Sequence, residues 1–113
     1  MAERIDPTNG KPLTPAAAAL HVLERRPHRT ALAYLFDHPD ATRRDITDGT
    51  GLSNPAVSTA LADLVTLRYV AVDEGTGEHG HPDHFTAHRP DFVSDLTALR
   101  DFYERGEDER KRA

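Results

Sequence analysis

The sequence predicts a mainly α fold completed by one β-hairpin, an α+β arrangement with helices at both termini. Three observations carry that expectation. Apolar residues recur at helical spacing between Thr14 and Leu67, and again from Phe92 onward. Between those stretches the period changes: "YVAVDE" and "DHFTAH" alternate and are rich in β-formers, with the turn-rich "GTGEHGHP" between them. Finally, 113 residues suit one domain with a modest core, and no internal repeat is visible.

Taken in order, residues 1–13 contain Pro7, Gly10 and Pro12 with little apolar content, and read as a flexible arm. Thr14 and Pro15 open a helix, a Thr N-cap followed by Pro where its missing N–H costs nothing. In "AAAALHVLERR", Ala16, Ala19, Leu20 and Leu23 share a face, and Pro27 ends the helix. A second helix covers about 29–37, with Leu32, Leu35 and Phe36 inward and "HPD" as its stop. Thr42-x-x-Asp45 resembles a capping box with Asp in place of Glu, and starts a short third helix to about Gly49. Ser53 caps a fourth, with Pro55 in its first turn, running to about Leu67. The hairpin takes roughly the next twenty residues. Pro90 and Asp91 then open a last helix bearing Phe92, Val93, Leu96, Leu99, Phe102 and Tyr103. The domain is therefore expected over 14–105, with 106–113, "GEDERKRA", as a flexible solvated tail.

Composition excludes several chemistries. Cysteine is absent, which removes disulfides, thiolate metal sites and thiol redox sensing. No Ser-His-Asp spacing, Gly-rich phosphate loop or H-E-x-x-H string occurs, so neither catalytic residues nor an enzyme are expected. No apolar run could span a bilayer, and "MAERIDPTNG" lacks the apolar stretch of a signal peptide, so no membrane partner and a cytoplasmic location are expected. The net charge of -5 is concentrated: residues 69–90 hold four acidic groups against one basic, together with four of the seven histidines. "HGHPDH" admits a metal reading, because His79 and His81 alternate to one face and His84 or Asp83 could complete a set. A pH-dependent charge suits it better than a metal, with imidazoles titrating near about 6.5, and a plain solvated loop suits it best. The helices offer no matching set of imidazole and carboxylate ligands, so no metal site or cofactor is expected.

The centre of the chain reads as a helix-turn-helix. Ile46 and Leu52 are spaced to pack with Val57, Leu61 and Leu64, and Gly51 supplies the positive φ that a tight inter-helix turn needs. Outside that packing face lie Asn54, Pro55, Ser58, Thr59, Ala62, Asp63 and Thr66, all small or polar. No Lys or Arg occurs between Asp45 and Leu67.

"LSNPAVSTALADLVTLRYV" is similar to the LS-x-PAVS-x-x-L-x-x-L core of ArsR-type winged-helix regulators. "HPDATRRDITDGTGLS" resembles the preceding helix in both the ArsR and MarR families. "GHPDHFTAHRP" is similar to the MarR-type wing, with His81 where Arg is usual and Phe85 near the usual Tyr. The likeness is gapless over 42–70, looser over 29–41 and 71–90, and covers just over half the chain. It implies a winged helix-turn-helix that binds double-stranded DNA sequence-specifically as a transcriptional regulator, more specifically a repressor. Thr42, Arg43 and Arg44 stand where such regulators touch the phosphate backbone, and His81 stands on the wing. Asn54, Pro55, Ser58 and Thr59 fall on the helix that enters the groove, where Asn, Ser and Thr can hydrogen-bond to base edges. The resemblance also implies a homodimer through the terminal helices, with Leu20, Leu23, Phe92, Leu96, Leu99, Phe102 and Tyr103 as the apolar candidates.

Three departures bear on affinity rather than fold. Thr59 and Ala62 stand where the family carries Arg or Lys, Arg68 stands where Gly accommodates a left-handed C-cap, and the wing is acidic. Phosphate neutralisation supplies most non-specific affinity, so that affinity is expected to be weak. The rival expectation is a winged helix that has lost DNA binding and works as a protein-interaction module.

Overall fold

The computed structural model describes residues 4–75 and 82–112. Two short strands, β1 (Arg4–Ile5) and β2 (Pro12–Leu13), precede helices α1 (Pro15–Leu23) and α2 (Arg26–Asp37). Strand β3 (Ala41–Thr42) leads directly into α3 (Arg43–Thr50) and α4 (Asn54–Thr66). Strands β4 (Val70–Asp73) and β5 (His84–Ala87) form the wing, and α5 (Arg89–Arg112) closes the order. β1 and β2 pair antiparallel; the second sheet runs β3-β5-β4, also antiparallel, with Phe85 opposite both Ala41 and Val72. This is an α+β winged helix-turn-helix with helices at both ends, as the sequence predicts.

Local chemistry sets the helix starts. Thr14 Oγ1 accepts from the Ala17 amide at 3.2 Å, and Ser53 Oγ from Ala56 at 3.3 Å. The capping box at Thr42 is complete: Thr42 Oγ1 accepts from the Asp45 amide at 3.1 Å, while the Thr42 amide donates to Asp45 Oδ2 at 3.0 Å. Pro27 acts differently from expectation. α1 already ends at Leu23, and Pro27 lies in the first turn of α2, where its ring is tolerated and no intrahelical N–H is lost.

The core joins α1, α2, α3, α4 and the start of α5. Leu32, Leu35, Ile46, Val57, Leu61 and Leu64 are all buried, so the helix-turn-helix packs through the residues its spacing selects. Gly51 has φ 76°, which closes the α3–α4 turn without a Cβ penalty. Gly49 plays a different part: a Cβ there would enter the Tyr34 ring, whose Oη would stand 2.9 Å away, so any side chain at 49 would have to displace that ring. At the end of α4 the Arg68 amide donates to Val65 O and the Tyr69 amide to Leu64 O, both at 3.0 Å, with Arg68 at φ 67°. That is a Schellman cap built on a non-glycine residue.

Several features depart from the sequence reading. Residues 4–13 are not a loose arm, because Arg4 is buried and held. Its Nε donates to Asp95 Oδ2 at 2.9 Å, and its guanidinium lies 5.0 Å from the Tyr69 ring centre. The Tyr69 hydroxyl donates to the same Asp95 oxygen at 2.6 Å, and burial together with that carboxylate pushes its pKa far up. α5 continues past Gly106 as helix, where the sequence reading begins the tail. α1 buries Ala18, Ala19 and Val22, the small face that lets it lie close to α5, and leaves Leu20 and Leu23 exposed. Phe92, expected at a dimer interface, is 5% exposed and packs edge-on to Tyr69 at 5.0 Å; it belongs to the core. β3 is too short for any periodicity to announce.

Breaking the buried Asp95 pair should be costly. Asp95→Ala strands the Arg4 charge and should lower unfolding free energy in urea by about 3–5 kcal/mol. The double variant Arg4→Met with Asp95→Leu should recover most of that loss. Equal losses in the single and double variants would remove the uncompensated charge as the cause.

Candidate nucleic-acid interface

α3, the start of α4 and the base of the wing enclose an open groove of about 900 Å³. Thr42, Arg43, Arg44, Thr47, Asn54 and Ser58 line one side, with Asp48; Pro82, Asp83 and Phe85 line the wing side. The structure thus brings together five of the eight residues expected at this interface. Pro55 and Thr59 are exposed on α4 but do not line the groove. His81, with His79, lies outside the described residues.

Arg43 and Arg44 occupy the first turn of α3, and their amides are among those a helix cannot pair internally. The helix end is not a vacant anion site, however. The Asp45 carboxylate takes the Thr42 amide, which holds its pKa below the ordinary Asp value, and it places a negative charge beside the helix N-terminus. Arg44 Nε lies 3.7 Å from Asp48 Oδ2, with both side chains largely exposed, so the pair is weak and Arg44 can reorient. Formal charge in the groove balances, Arg43 and Arg44 against Asp48 and Asp83.

Asn54 is pre-set by its neighbour. Thr47 Oγ1 stands 3.2 Å from Asn54 Oδ1 and 3.0 Å from the Arg43 carbonyl. The single Thr47 hydroxyl proton is shared between these two acceptors, and the two amide N–H donors of Asn54 are not used by it. Asp83 Oδ1 accepts from the Gly75 amide at 2.8 Å and closes the base of the hairpin.

Asp63 is the one acidic residue of α4. The sequence reading leaves it outside the packing face. In the structure it is half-buried and turned toward α2, with Oδ2 2.6 Å from His28 Nε2. The one acidic group of α4 is thereby withdrawn from the groove side and paired. Beside it His21 is buried, and burial first, then the nearby Arg25, lowers its pKa. The grouping of His21, His28 and Asp63 on three helices corrects the expectation that the helices offer no set of imidazole and carboxylate ligands; 35 residues separate His28 from its carboxylate, so spacing does not announce it.

Of the apolar candidates on the terminal helices, Leu20 and Leu23 are each 38% exposed, and Phe102 and Tyr103 are 50% and 52% exposed. Leu96 and Leu99 are partly buried against the core. Among the described residues no helix is long and apolar enough to cross a membrane.

No protein-family model matches the chain, and no curated protein sequence matches it. Solved structures do. A Staphylococcus aureus MepR–DNA complex superposes with a TM-score of 0.53 at 19% identity, covering 84% of this chain and 82% of that one. A point mutant of S. aureus MepR bound to an oligodeoxyribonucleotide gives 0.55 at 19% identity, covering 86% and 79%. At that identity the likeness shows the fold, the same α+β winged helix.

The contact between the wing and β3 predicts a titration. His84 Nδ1 donates to the Asp40 carbonyl at 3.0 Å, and this bond, with the Asp40 carboxylate 3.7 Å away, raises the imidazole pKa. A raised folded-state pKa adds stability that is fully present below the unfolded value of about 6.5 and fades as pH rises through the folded value. An NMR titration of the His84 ring should therefore give a midpoint above about 6.5. A midpoint at or below that value would show the bond to be absent in solution.

Proposed function

We propose that the protein is a sequence-specific DNA-binding transcriptional regulator, a repressor acting as a homodimer in the cytoplasm. One observation carries the reading: a single groove joins Arg43 and Arg44, suited to phosphates, with Asn54 and Ser58, suited to base edges, beneath the wing. The MepR structures that share the fold were solved with DNA, which supports the same use of it here. In this reading the arginines hold the backbone, and α4 approaches the bases through small and polar side chains. The pairing of Asp63 with His28 removes the acidic group that would oppose that approach. Homodimerisation rests on Leu20, Leu23, Phe102 and Tyr103, large apolar side chains exposed on α1 and α5. Two copies double the phosphate contacts and suit half-sites one helical turn apart.

A second reading is favoured by the charge balance of the groove, where Asp48 and Asp83 offset the arginines. There the winged helix binds protein instead of DNA.

Binding to fragments of its own upstream DNA across a salt series separates the two. Arg43→Ala with Arg44→Ala should weaken all sequences alike and reduce the salt slope by roughly one unit per charge and half-site. Asn54→Ala and Ser58→Ala should instead relax sequence preference, by about 1–3 kcal/mol per lost contact. An unchanged slope together with unchanged preference would favour the interaction module. For the dimer, Leu23→Glu with Phe102→Glu should give a monomer in sedimentation velocity at concentrations where the wild type is dimeric; a wild type that sediments as a monomer throughout would exclude the assembly.

A further inference from the structure

Three helices bring one ligating side chain each to a common point: His21 from α1, His28 from α2 and Asp63 from α4. One ligand atom from each lies within 4.8 Å of the others. The two imidazoles meet edge-on with centroids 6.0 Å apart. Both rings are buried, and His21 Nε2 and His28 Nδ1 find no hydrogen-bond partner in the protein. A buried imidazole nitrogen without a partner is unfavourable; His28 Nε2 already meets Asp63 and its unpartnered Nδ1 is the other ring nitrogen, so the orphan that an ion here could satisfy is that of His21. The pairing of His28 with Asp63 leaves His21 Nε2 buried and without a partner.

We propose that His21, His28 and Asp63 form a zinc-binding site within the helical core. Two imidazoles and a carboxylate are ligands zinc takes readily, and they leave a fourth position for solvent. Around tetrahedral zinc with bonds of about 2.0–2.1 Å, ligand atoms stand about 3.3 Å apart. The His28–Asp63 pair at 2.6 Å must therefore open, and the widest pair must close by no more than about 1.5 Å. Side-chain rotation on three helices can supply both. The Asp63 side chain keeps 22% of its surface exposed, which gives the ion a way in. Arg25 and Asp6 both act on His21 with opposite sign, so the surroundings of the ion are not uniformly cationic. With no cysteine in the chain, imidazole and carboxylate are the zinc ligands it can offer.

Because Asp63 belongs to α4, a bound ion would fix the rotation of that helix against α1 and α2. Any consequence for DNA affinity rests on the proposed function; the zinc measurements involve no DNA, so either idea can fail alone.

The test is zinc titration of chelator-stripped full-length protein against a chromogenic chelator, with cobalt as a spectroscopic substitute. One equivalent per chain should bind, and cobalt should give the intense visible bands of a tetrahedral site. His21→Gln and Asp63→Asn should each weaken zinc at least about tenfold, with circular dichroism checking the fold. The variant His79→Gln, His81→Gln, His84→Gln should keep the full equivalent. No stoichiometric zinc in the wild type, a weak octahedral cobalt spectrum, or loss of binding in the hairpin variant alone would each overturn the proposal.

Discussion

The carboxylate of Asp95 is the point at which the far parts of this chain are tied together. A single oxygen accepts from Arg4, 91 residues earlier, and from Tyr69, 26 residues earlier. Burying a charge in a small domain is unfavourable unless its partners arrive with it. The N-terminal hairpin, the entry to the wing and α5 must therefore reach their positions jointly. Tyr69 connects this network to the helix-turn-helix, since its amide completes the cap of α4 and its ring packs against Phe92. Tyr69 thus ties the start of the wing to the end of α4, while the pairing of β5 with β3 holds its other strand. The groove is framed by those two elements, so its width depends on a network remote from its surface.

Within the groove, order comes from short-range hydrogen bonds rather than from charge. The capping box fixes the first turn of α3, Thr47 orients Asn54, and Asp83 gathers the base of the hairpin. These groups are held before any ligand arrives and lose little side-chain entropy on binding, whereas the exposed Arg44 must be ordered. The balanced formal charge makes that preorganisation the main asset of the site.

What the sequence discloses here, and what it hides, divides by range. Thr14, Thr42, Ser53 and Gly51 act on atoms three or four residues away, and their types alone state their roles. The packing of Ile46 with Val57, Leu61 and Leu64 is equally legible, because helical spacing is a local property. Arg4 and Asp95 are not: each reads as a solvated charge until the fold brings them together. The same holds for His21, His28 and Asp63, whose ligand-like grouping exists only across three helices. The apolar stripe of α5 is ambiguous in another way. Phe92 lies one turn before Leu96 on the same face, and nothing in the spacing says which of the stripe meets its own core. Of the groove, Thr42, Arg43, Arg44, Asn54 and Ser58 are legible; Thr47 and Asp48 join it one turn along α3 from the arginines, and Asp83 only through the placement of the wing.

If the groove reads DNA as proposed, the absence of any Lys or Arg along α4 shapes how the protein would search a chromosome. Basic side chains on that helix would hold the protein on any sequence it met, and the bulk of each population would then sit on irrelevant DNA. A helix that offers only hydrogen-bonding and small apolar groups gives brief stays at wrong sites. Genomes present on the order of 10⁶–10⁹ competing positions, so occupancy of the right one depends on the ratio of stays more than on their absolute length. For a DNA reader built this way, a larger unbound pool and faster turnover at its operator are the natural operating state, with salt mattering less than for a cationic helix.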